Sequence, residues 1–200
     1  MERINAVTFA PFCARGTFEK EETRQSLKLM KEKTGANYVI FAPNGMQKTA
    51  FSEEIDYRTD RNVTDEELIA MIGYAKELGL NVALKPTANC ADGTWRAHIN
   101  FFDEDVVCEP KWGNWFASYR AFQEHYAGLA QQCGVDLFIA GCEMVQTERR
   151  EAEWREVIAA IRRKYDGPVS YNTDKYQEHN VKWWDAVDAV SYTHLTLPTT

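Results

Sequence analysis

One pattern occurs four times along the chain and restricts the possible folds more than any other feature. An amphipathic helix ends at a glycine, and a short apolar strand follows at once. The four copies read KEKTGANYVIFAPN, KELGLNVALKPTAN, AQQCGVDLFIAGCE and RRKYDGPVSYNTD. Their glycines are Gly35, Gly79, Gly134 and Gly167. Each is predicted to take the left-handed conformation just past a helix end.

The strands of these units, with two more at residues 4–12 and 185–192, are apolar almost throughout. Strands that alternate with helices in this way indicate a parallel sheet covered on both faces. The helices agree, because Thr64 and Glu67 form a predicted capping box. From Trp112 to Cys133, apolar residues recur at spacings of three and four, which predicts a buried face made largely of aromatic residues.

Two architectures fit such a chain, an open doubly wound sheet and a (β/α)8 barrel. Neither GxGxxG nor GxxxxGK[ST] follows any predicted strand, which disfavours the nucleotide-binding forms of the open sheet. Polar side chains end successive strands: Asn44, Lys85, Glu143 and Asn172. A barrel builds its active site at these carboxyl ends. The fold class is therefore predicted to be α/β, a partial (β/α)8 barrel with about six units present and the last two missing.

Composition excludes several kinds of partner and cofactor. The net charge of −7 and the absence of a Lys/Arg stripe argue against nucleic acid and anionic membranes. No apolar run reaches the length of a membrane span, and MERINAVTFAPF lacks the apolar core of a signal peptide, so a cytoplasmic location is expected. The five cysteines form no CxxC and the four histidines no HExxH, so neither a metal site nor any other cofactor is predicted.

Several long stretches resemble glycoside hydrolase family 113, a (β/α)8 family best known for β-mannanases. They are LKPTANCADGTWRAHINF, WGNWFASYRAFQEHYAGLAQQCGVDLFIAGCEM, EAEWREVIAAIRRKYDGPVSYNTD and VKWWDAVDAVSY. The resemblance covers nearly all of residues 4–192. It implies a retaining mechanism with the general acid/base, Glu143, after strand four and a nucleophile after strand seven.

The residues around Glu143 are compatible with that role. An acid that protonates a leaving sugar oxygen must hold its proton near neutral pH, and partial desolvation favours the protonated form of a carboxyl group. The alternative is a structural carboxylate that caps a helix or pairs with an arginine. The residue before Glu143 departs from the pattern of the larger clan of glycoside hydrolases that the resemblance implies. Cys142 stands where many members carry an asparagine that bonds the sugar 2-hydroxyl, and a thiol is a weak donor.

Substrate-binding candidates surround this position in the sequence. Trp95 offers an apolar face for a pyranose ring, whereas the others offer hydrogen bonds to hydroxyl groups. The full set is Lys85, Asn89, Trp95, Arg96, Asn172 and Trp184. The competing explanation is structural: Trp95 packed under its own loop with Arg96 at the rim, and Trp184 in the core.

The end of the chain leads to further expectations. Six units occupy the first 192 residues, and at the same length per unit eight would need about 250 residues. The barrel domain at 1–192 is therefore expected to be incomplete, with its nucleophile beyond residue 200. Residues 193–200, THLTLPTT, have no helical pattern and resemble translated sequencing-adapter read-through. We expect a non-native tail, with a genuine disordered terminus as the alternative. A chain without its nucleophile is expected to be inactive. Because two missing strands would leave two sheet edges open, the chain is also expected to be poorly soluble or only partly folded alone.

Three functional hypotheses follow. The first is a retaining β-glycosidase that hydrolyses β-1,4-mannan or manno-oligosaccharides, in the gene's intact product. The second is a non-catalytic barrel that binds carbohydrate. The third is an unrelated barrel lyase or aldolase with Lys85 as a Schiff-base residue, which a borohydride-trapped adduct would reveal.

Overall fold

The computed structural model describes residues 4–109 and 111–192, so the predicted tail at 193–200 lies outside the described residues. The strands are β1 (Ala6–Phe9), β2 (Tyr38–Phe41), β3 (Asn44–Gln47), β4 (Asn81–Leu84), β5 (Thr87–Cys90), β6 (Leu137–Cys142), β7 (Val169–Thr173) and β8 (Ala189–Tyr192). The α-helices are α1 (Glu21–Thr34), α2 (Asp65–Glu77), α3 (Lys111–Cys133) and α4 (Glu151–Arg162).

Six of the strands form one parallel sheet in the order β1-β2-β4-β6-β7-β8. An α-helix lies in each of the first four connections of this sheet, and two 3-10 turns, Glu178–Asn180 and Trp184–Ala186, lie between β7 and β8. The sheet curls into part of a (β/α)8 barrel, as predicted. Each predicted apolar run supplies one of these strands, and the carboxyl ends of all six point to the same rim.

Strands β3 and β5 continue β2 and β4 past a proline and were not predicted separately. Phe41 pairs with Leu84 in the lower part and Asn44 with Thr87 in the upper part, so the register is the same on both sides of the interruption. Pro43 and Pro86 lie in the gap, where a missing N–H interrupts the ladder. The Thr87 amide restores the pattern by donating to the Pro43 carbonyl at 2.9 Å.

Polar side chains also cap the opposite, amino-terminal edge of the sheet. Three Asn or Asp residues next to strands each accept a backbone N–H from the neighbouring strand region. The pairs are Asn5 with Asn37, Val82 with Asp136, and Val169 with Asp188, each at 2.8 Å. This explains why Asp136 interrupts an otherwise apolar run: its side chain satisfies the Val82 amide near the start of β4.

The helices cover the outside of the sheet with an aromatic core. The capping box at Thr64 and Glu67 is confirmed, because each residue's backbone N–H bonds the other's side chain. The aromatic face of α3 is fully buried, with Trp115, Tyr119 and Phe122 each 0% exposed. None of the helices within the described ranges combines the length and apolar character that crossing a membrane requires.

The glycine prediction is confirmed at three helix ends and wrong at the fourth. Gly35, Gly79 and Gly134 have φ of 64°, 71° and 59°. Gly167 does not have a positive φ, because α4 ends earlier, at Arg162, and Gly167 lies in the connection to β7. Its constraint is close packing instead, since a Cβ there would collide with the Tyr165 ring and its hydroxyl group.

Candidate active site

A cleft of about 240 Å³ opens at the carboxyl ends of the strands. It is lined by Thr8, Pro11, Phe12, Ala42, Asn44, Lys85, Thr87, Arg96, Cys142, Glu143 and Asn172. These residues come from the ends of β1, β2, β4, β6 and β7, from β3 and β5, and from the turn after β5. The cleft therefore lies where a (β/α)8 barrel carries its chemistry.

Glu143 follows β6 directly and takes an uncommon backbone conformation. Its φ is 54°, in the left-handed region that non-glycine residues rarely adopt. Two hydrogen bonds hold this turn from β7: the Glu143 amide donates to the Asn172 carbonyl at 2.7 Å, and the Met144 amide donates to the Tyr171 hydroxyl at 3.1 Å. Such strain persists only where the surroundings enforce it, and it often marks a functional position.

The Glu143 carboxylate contacts two residues of the loop after β5. The Trp95 indole N–H donates to Oε2 at 3.4 Å, and Arg96 Nη1 lies 3.9 Å from the same oxygen. The second contact is an ion pair without a short hydrogen bond. With its side chain 19% exposed, Glu143 is partly shielded but still reaches the cleft.

Close packing against Tyr119 of α3 explains the glycine two residues before Glu143. Gly141 has φ of 151°, and a Cβ on it would lie 2.5 Å from the Tyr119 hydroxyl oxygen. That hydroxyl donates to the Ala140 carbonyl at 2.8 Å and belongs to the buried face of α3. Cys142 lines the cleft although it is only 6% exposed. Burial raises the pKa of its thiol, so it faces the cleft as a neutral group.

The structure brings most of the predicted substrate-binding residues to one place. Lys85, Arg96 and Asn172 line the cleft with Glu143, and Trp95 touches the Glu143 carboxylate. Asn89 stands behind this lining and donates to Asn44 Oδ1 at 2.9 Å, so it orients a cleft residue.

Trp184 is placed differently. Its indole N–H donates to the Glu178 carbonyl at 2.8 Å, and its ring packs 6.0 Å from that of Tyr171. It is not among the residues that line the cleft. Its assignment to substrate binding stays a prediction.

Sequence reasoning missed the β1 side of the cleft. Pro11 and Phe12 line it, and the Phe12 side chain is 64% exposed with a backbone φ of 65°. Ala10 also has a positive φ, of 44°. Neither the composition nor the spacing of this loop indicates an exposed aromatic ring, because the unusual backbone conformation that presents it leaves no periodic pattern.

A second carboxyl group, that of Glu148, was also missed. It is 1% exposed, and burial raises its pKa to about 7. Its Oε1 accepts hydrogen bonds from the Tyr171 hydroxyl at 2.7 Å and from the Thr173 hydroxyl at 2.8 Å.

Across residues 4–109 and 111–192, no group of three His, Cys, Asp or Glu side chains is arranged to hold a metal ion.

The parallel strands and the carboxylate at their carboxyl ends define the class: part of a (β/α)8 barrel whose cleft has the placement and polarity of an enzyme site. A family model described as Glycoside Hydrolase Family 113 matches residues 7–196. The chain belongs to this family. A search of curated proteins found no match.

Solved structures agree with this membership. The chain is 54% identical to a GH113 β-1,4-mannanase, with a TM-score of 0.94, covering 96% of this chain and 62% of that one. It is 40% identical to the GH113 β-mannanase AaManA from Alicyclobacillus acidocaldarius, determined in complex with ManMIm, with a TM-score of 0.90 and coverage of 94% and 60%. The exo-β-1,4-mannosidase Op5Man5 from Opitutaceae bacterium strain TAV5 shares the fold alone, at 14% identity and a TM-score of 0.53. The chain thus spans roughly three fifths of the first two proteins.

Proposed function

We propose that this chain forms the acid/base half of a retaining glycoside hydrolase site that acts on β-1,4-mannan or manno-oligosaccharides. The observation that carries the proposal is the position of Glu143 at the end of β6, in a cleft shared with Lys85, Arg96 and Asn172. Membership of a family with two β-mannanases among its similar structures supports the choice of sugar.

In the proposed reaction, Glu143 gives its proton to the glycosidic oxygen while the bond from that oxygen to the sugar C1 breaks. A second carboxylate attacks C1 and forms the glycosyl-enzyme. Water then attacks C1, its proton passes to Glu143, and the nucleophilic carboxylate leaves. Trp95 and Arg96 contribute by holding Oε2 of Glu143, which limits the orientations of the carboxyl group.

The remaining cleft residues suit a sugar ring. Lys85, Arg96 and Asn172 supply donors for hydroxyl groups, while the exposed ring of Phe12 offers an apolar surface to the CH face of a pyranose. Cys142 adds a neutral, weakly polar wall beside Glu143. Polar groups that orient a ligand against an apolar surface are typical of small-molecule sites.

On its own, we propose, this chain binds manno-oligosaccharides without hydrolysing them. A retaining mechanism needs two carboxylates about 5–5.5 Å apart. Among the described residues that line the cleft, Glu143 supplies the carboxylate, and no second one lies beside it.

The test is a titration of the isotope-labelled chain with mannotetraose, followed by NMR, with cellotetraose as the matched sugar. We expect shifts at the amides of Arg96, Glu143 and Asn172, larger for mannotetraose, and no release of shorter sugars. Glu143→Gln should bind equally well. Absence of binding, or equal shifts throughout the chain, would refute the proposal, and turnover by the unmodified chain would refute its last part.

The role of Glu143 itself needs a polypeptide that contains this segment and turns over substrate. There, Glu143→Gln should abolish hydrolysis of mannan, whose leaving group requires protonation. It should largely spare the first step on aryl mannosides with good leaving groups, seen as a burst of released phenol, although the second step slows because the base is missing. Equal losses on both substrates would contradict the assignment.

A further inference from the structure

The buried carboxyl group of Glu148 stands directly behind the turn that carries Glu143. The two are linked through Tyr171, whose hydroxyl donates to Glu148 Oε1 at 2.7 Å and accepts the Met144 amide at 3.1 Å. Since Met144 follows Glu143 in the chain, one phenol connects the buried carboxyl group to the backbone of the acid/base candidate.

The direction of these two hydrogen bonds means that Glu148 determines the orientation of the Tyr171 hydroxyl group. A phenol has one proton, so its oxygen can accept from Met144 with a defined lone pair only when that proton points elsewhere. Here the proton points to Glu148 Oε1, which accepts the hydrogen bond. The Tyr171 ring itself has little freedom, because it is fully buried and packs against Trp154 and Trp183 with ring centroids 5.0 Å and 4.8 Å away.

The turn needs this support because it is strained. Glu143 has φ of 54°, which costs about 1–3 kcal/mol unless the surroundings impose it. Its own amide is bonded to Asn172 on β7, and the next amide is bonded to Tyr171 on the same strand. Two consecutive amides are therefore held from one neighbouring strand, one by its backbone and one by a side chain that Glu148 orients.

We propose that Glu148 is a positioning residue: through Tyr171 it fixes the Glu143–Met144 turn and thereby directs the Glu143 side chain into the cleft. The functional meaning of this arrangement rests on the proposed function. The structural claim, that Glu148 controls the bond from Met144 to Tyr171, can be tested without any sugar.

The state of the carboxyl group supports the arrangement. Burial raises the pKa of Glu148 to about 7, and its Oε2 is buried with no hydrogen-bond partner among the described residues. A protonated carboxyl group keeps a carbonyl oxygen for Tyr171 and Thr173 and places its own proton on Oε2. Glutamine reproduces this pattern, with a carbonyl oxygen at one position and a donor at the other, whereas methionine keeps the length and loses both.

The experiment measures amide hydrogen exchange in the isotope-labelled chain. In Glu148→Met and in Tyr171→Phe, exchange at Glu143 and Met144 should speed up by about tenfold or more, as expected for loss of a buried hydrogen bond. Glu148→Gln should stay within about twofold of the unmodified protein. The Phe138 amide, near the start of β6 and bonded to the Pro168 carbonyl at 3.0 Å, serves as the internal reference and should not change.

Thr173→Val is the matched control. It removes the second donor to the same Glu148 oxygen but leaves the bond between Tyr171 and Met144 in place, so exchange at Met144 should stay within about twofold. Unchanged exchange at Met144 in Glu148→Met would overturn the proposal. So would a parallel rise at Phe138, which would indicate general destabilisation.

A second measurement needs no destabilised variant. In the unmodified protein, the Tyr171 hydroxyl proton should exchange slowly and give a nuclear Overhauser contact to the Met144 amide. If that proton exchanges freely, the proposal fails even if Glu148→Met does not fold. A negative mannotetraose titration would defeat the proposed function and leave these exchange results standing, so the two failures are distinguishable.

Discussion

The glycine before the acid/base candidate allows a quantitative test of how the site is built. Replacing Gly141 by alanine places a Cβ 2.5 Å from the Tyr119 hydroxyl oxygen, 3.2 Å from Tyr171 Cε2 and 3.3 Å from Trp154 Cη2. Contacts this short between a Cβ and fully buried aromatic rings require these rings or the strand to move. The backbone φ of 151° is itself unfavourable for alanine.

Two contributions determine the size of the effect. Strain at a glycine-like backbone conformation costs about 1–3 kcal/mol. Overpacking of a filled core costs about another 1–3 kcal/mol. Moving Tyr119 would also weaken its bond to the Ala140 carbonyl, at 2.8 Å, which adds to the cost. Gly141→Ala should therefore lower the free energy of unfolding by about 2–6 kcal/mol.

The assay is urea unfolding followed by fluorescence and far-ultraviolet circular dichroism, with Gly73→Ala as control. Gly73 lies exposed within α2, and a Cβ there would meet nothing within 4 Å. Because alanine favours helix, Gly73→Ala should stabilise the protein by about 0.5–1 kcal/mol. If Gly141→Ala costs less than about 1 kcal/mol, the close packing inferred behind the acid/base turn is wrong.

Three further outcomes are expected. Phe12→Ala should weaken mannotetraose binding severalfold, whereas Phe51→Ala, which removes a ring that is also exposed but does not line the cleft, should leave binding unchanged in the same NMR titration. The Val169 amide lowers the pKa of Asp188, so the stabilisation that this carboxylate gives is present above about pH 3.9 and is lost as the pH falls through its lowered folded-state value. Asp188→Asn should accordingly flatten the acid side of the stability–pH profile, by less than about 1 kcal/mol because the side chain is half exposed, and an unchanged profile would contradict this. Asp136→Leu should cost about 1–3 kcal/mol in urea unfolding by leaving the Val82 amide of β4 unpaired, while Asp136→Asn, which keeps an acceptor, should cost less.

The sequence predicted the fold because its signals are local and repeated. Apolar strands after helix-ending glycines define parallel units wherever they occur, and Asn44, Lys85, Glu143 and Asn172 reach one rim because parallel strands end on the same side. The same reasoning failed at Gly167, where a contact with a ring, and not a helix end, requires the small residue.

What the sequence did not predict depends on contacts between distant segments. The exposure of Phe12 follows from a strained loop that has no periodic pattern. The role of Glu148 follows from hydrogen bonds to β7, and in the sequence it reads as one charge in the run TERREAE. The pairing of Asp136 with the Val82 amide likewise joins residues that are far apart in the chain.

The aligned prolines at 43 and 86 separate the two hydrogen-bonded sheets that frame the cleft, the large six-stranded sheet and the two-stranded ribbon of β3 and β5. Asn44 and Thr87 stand on the short upper ribbon, which side-chain bonds such as that from Trp115 to Gln47, at 3.0 Å, tie to the helix layer, whereas Glu143 extends from the large sheet below. A saccharide that touches both Asn44 and Glu143 would link the ribbon to the large sheet. Occupancy of the cleft should then slow deuterium uptake along the whole ribbon, well beyond the atoms that the sugar contacts.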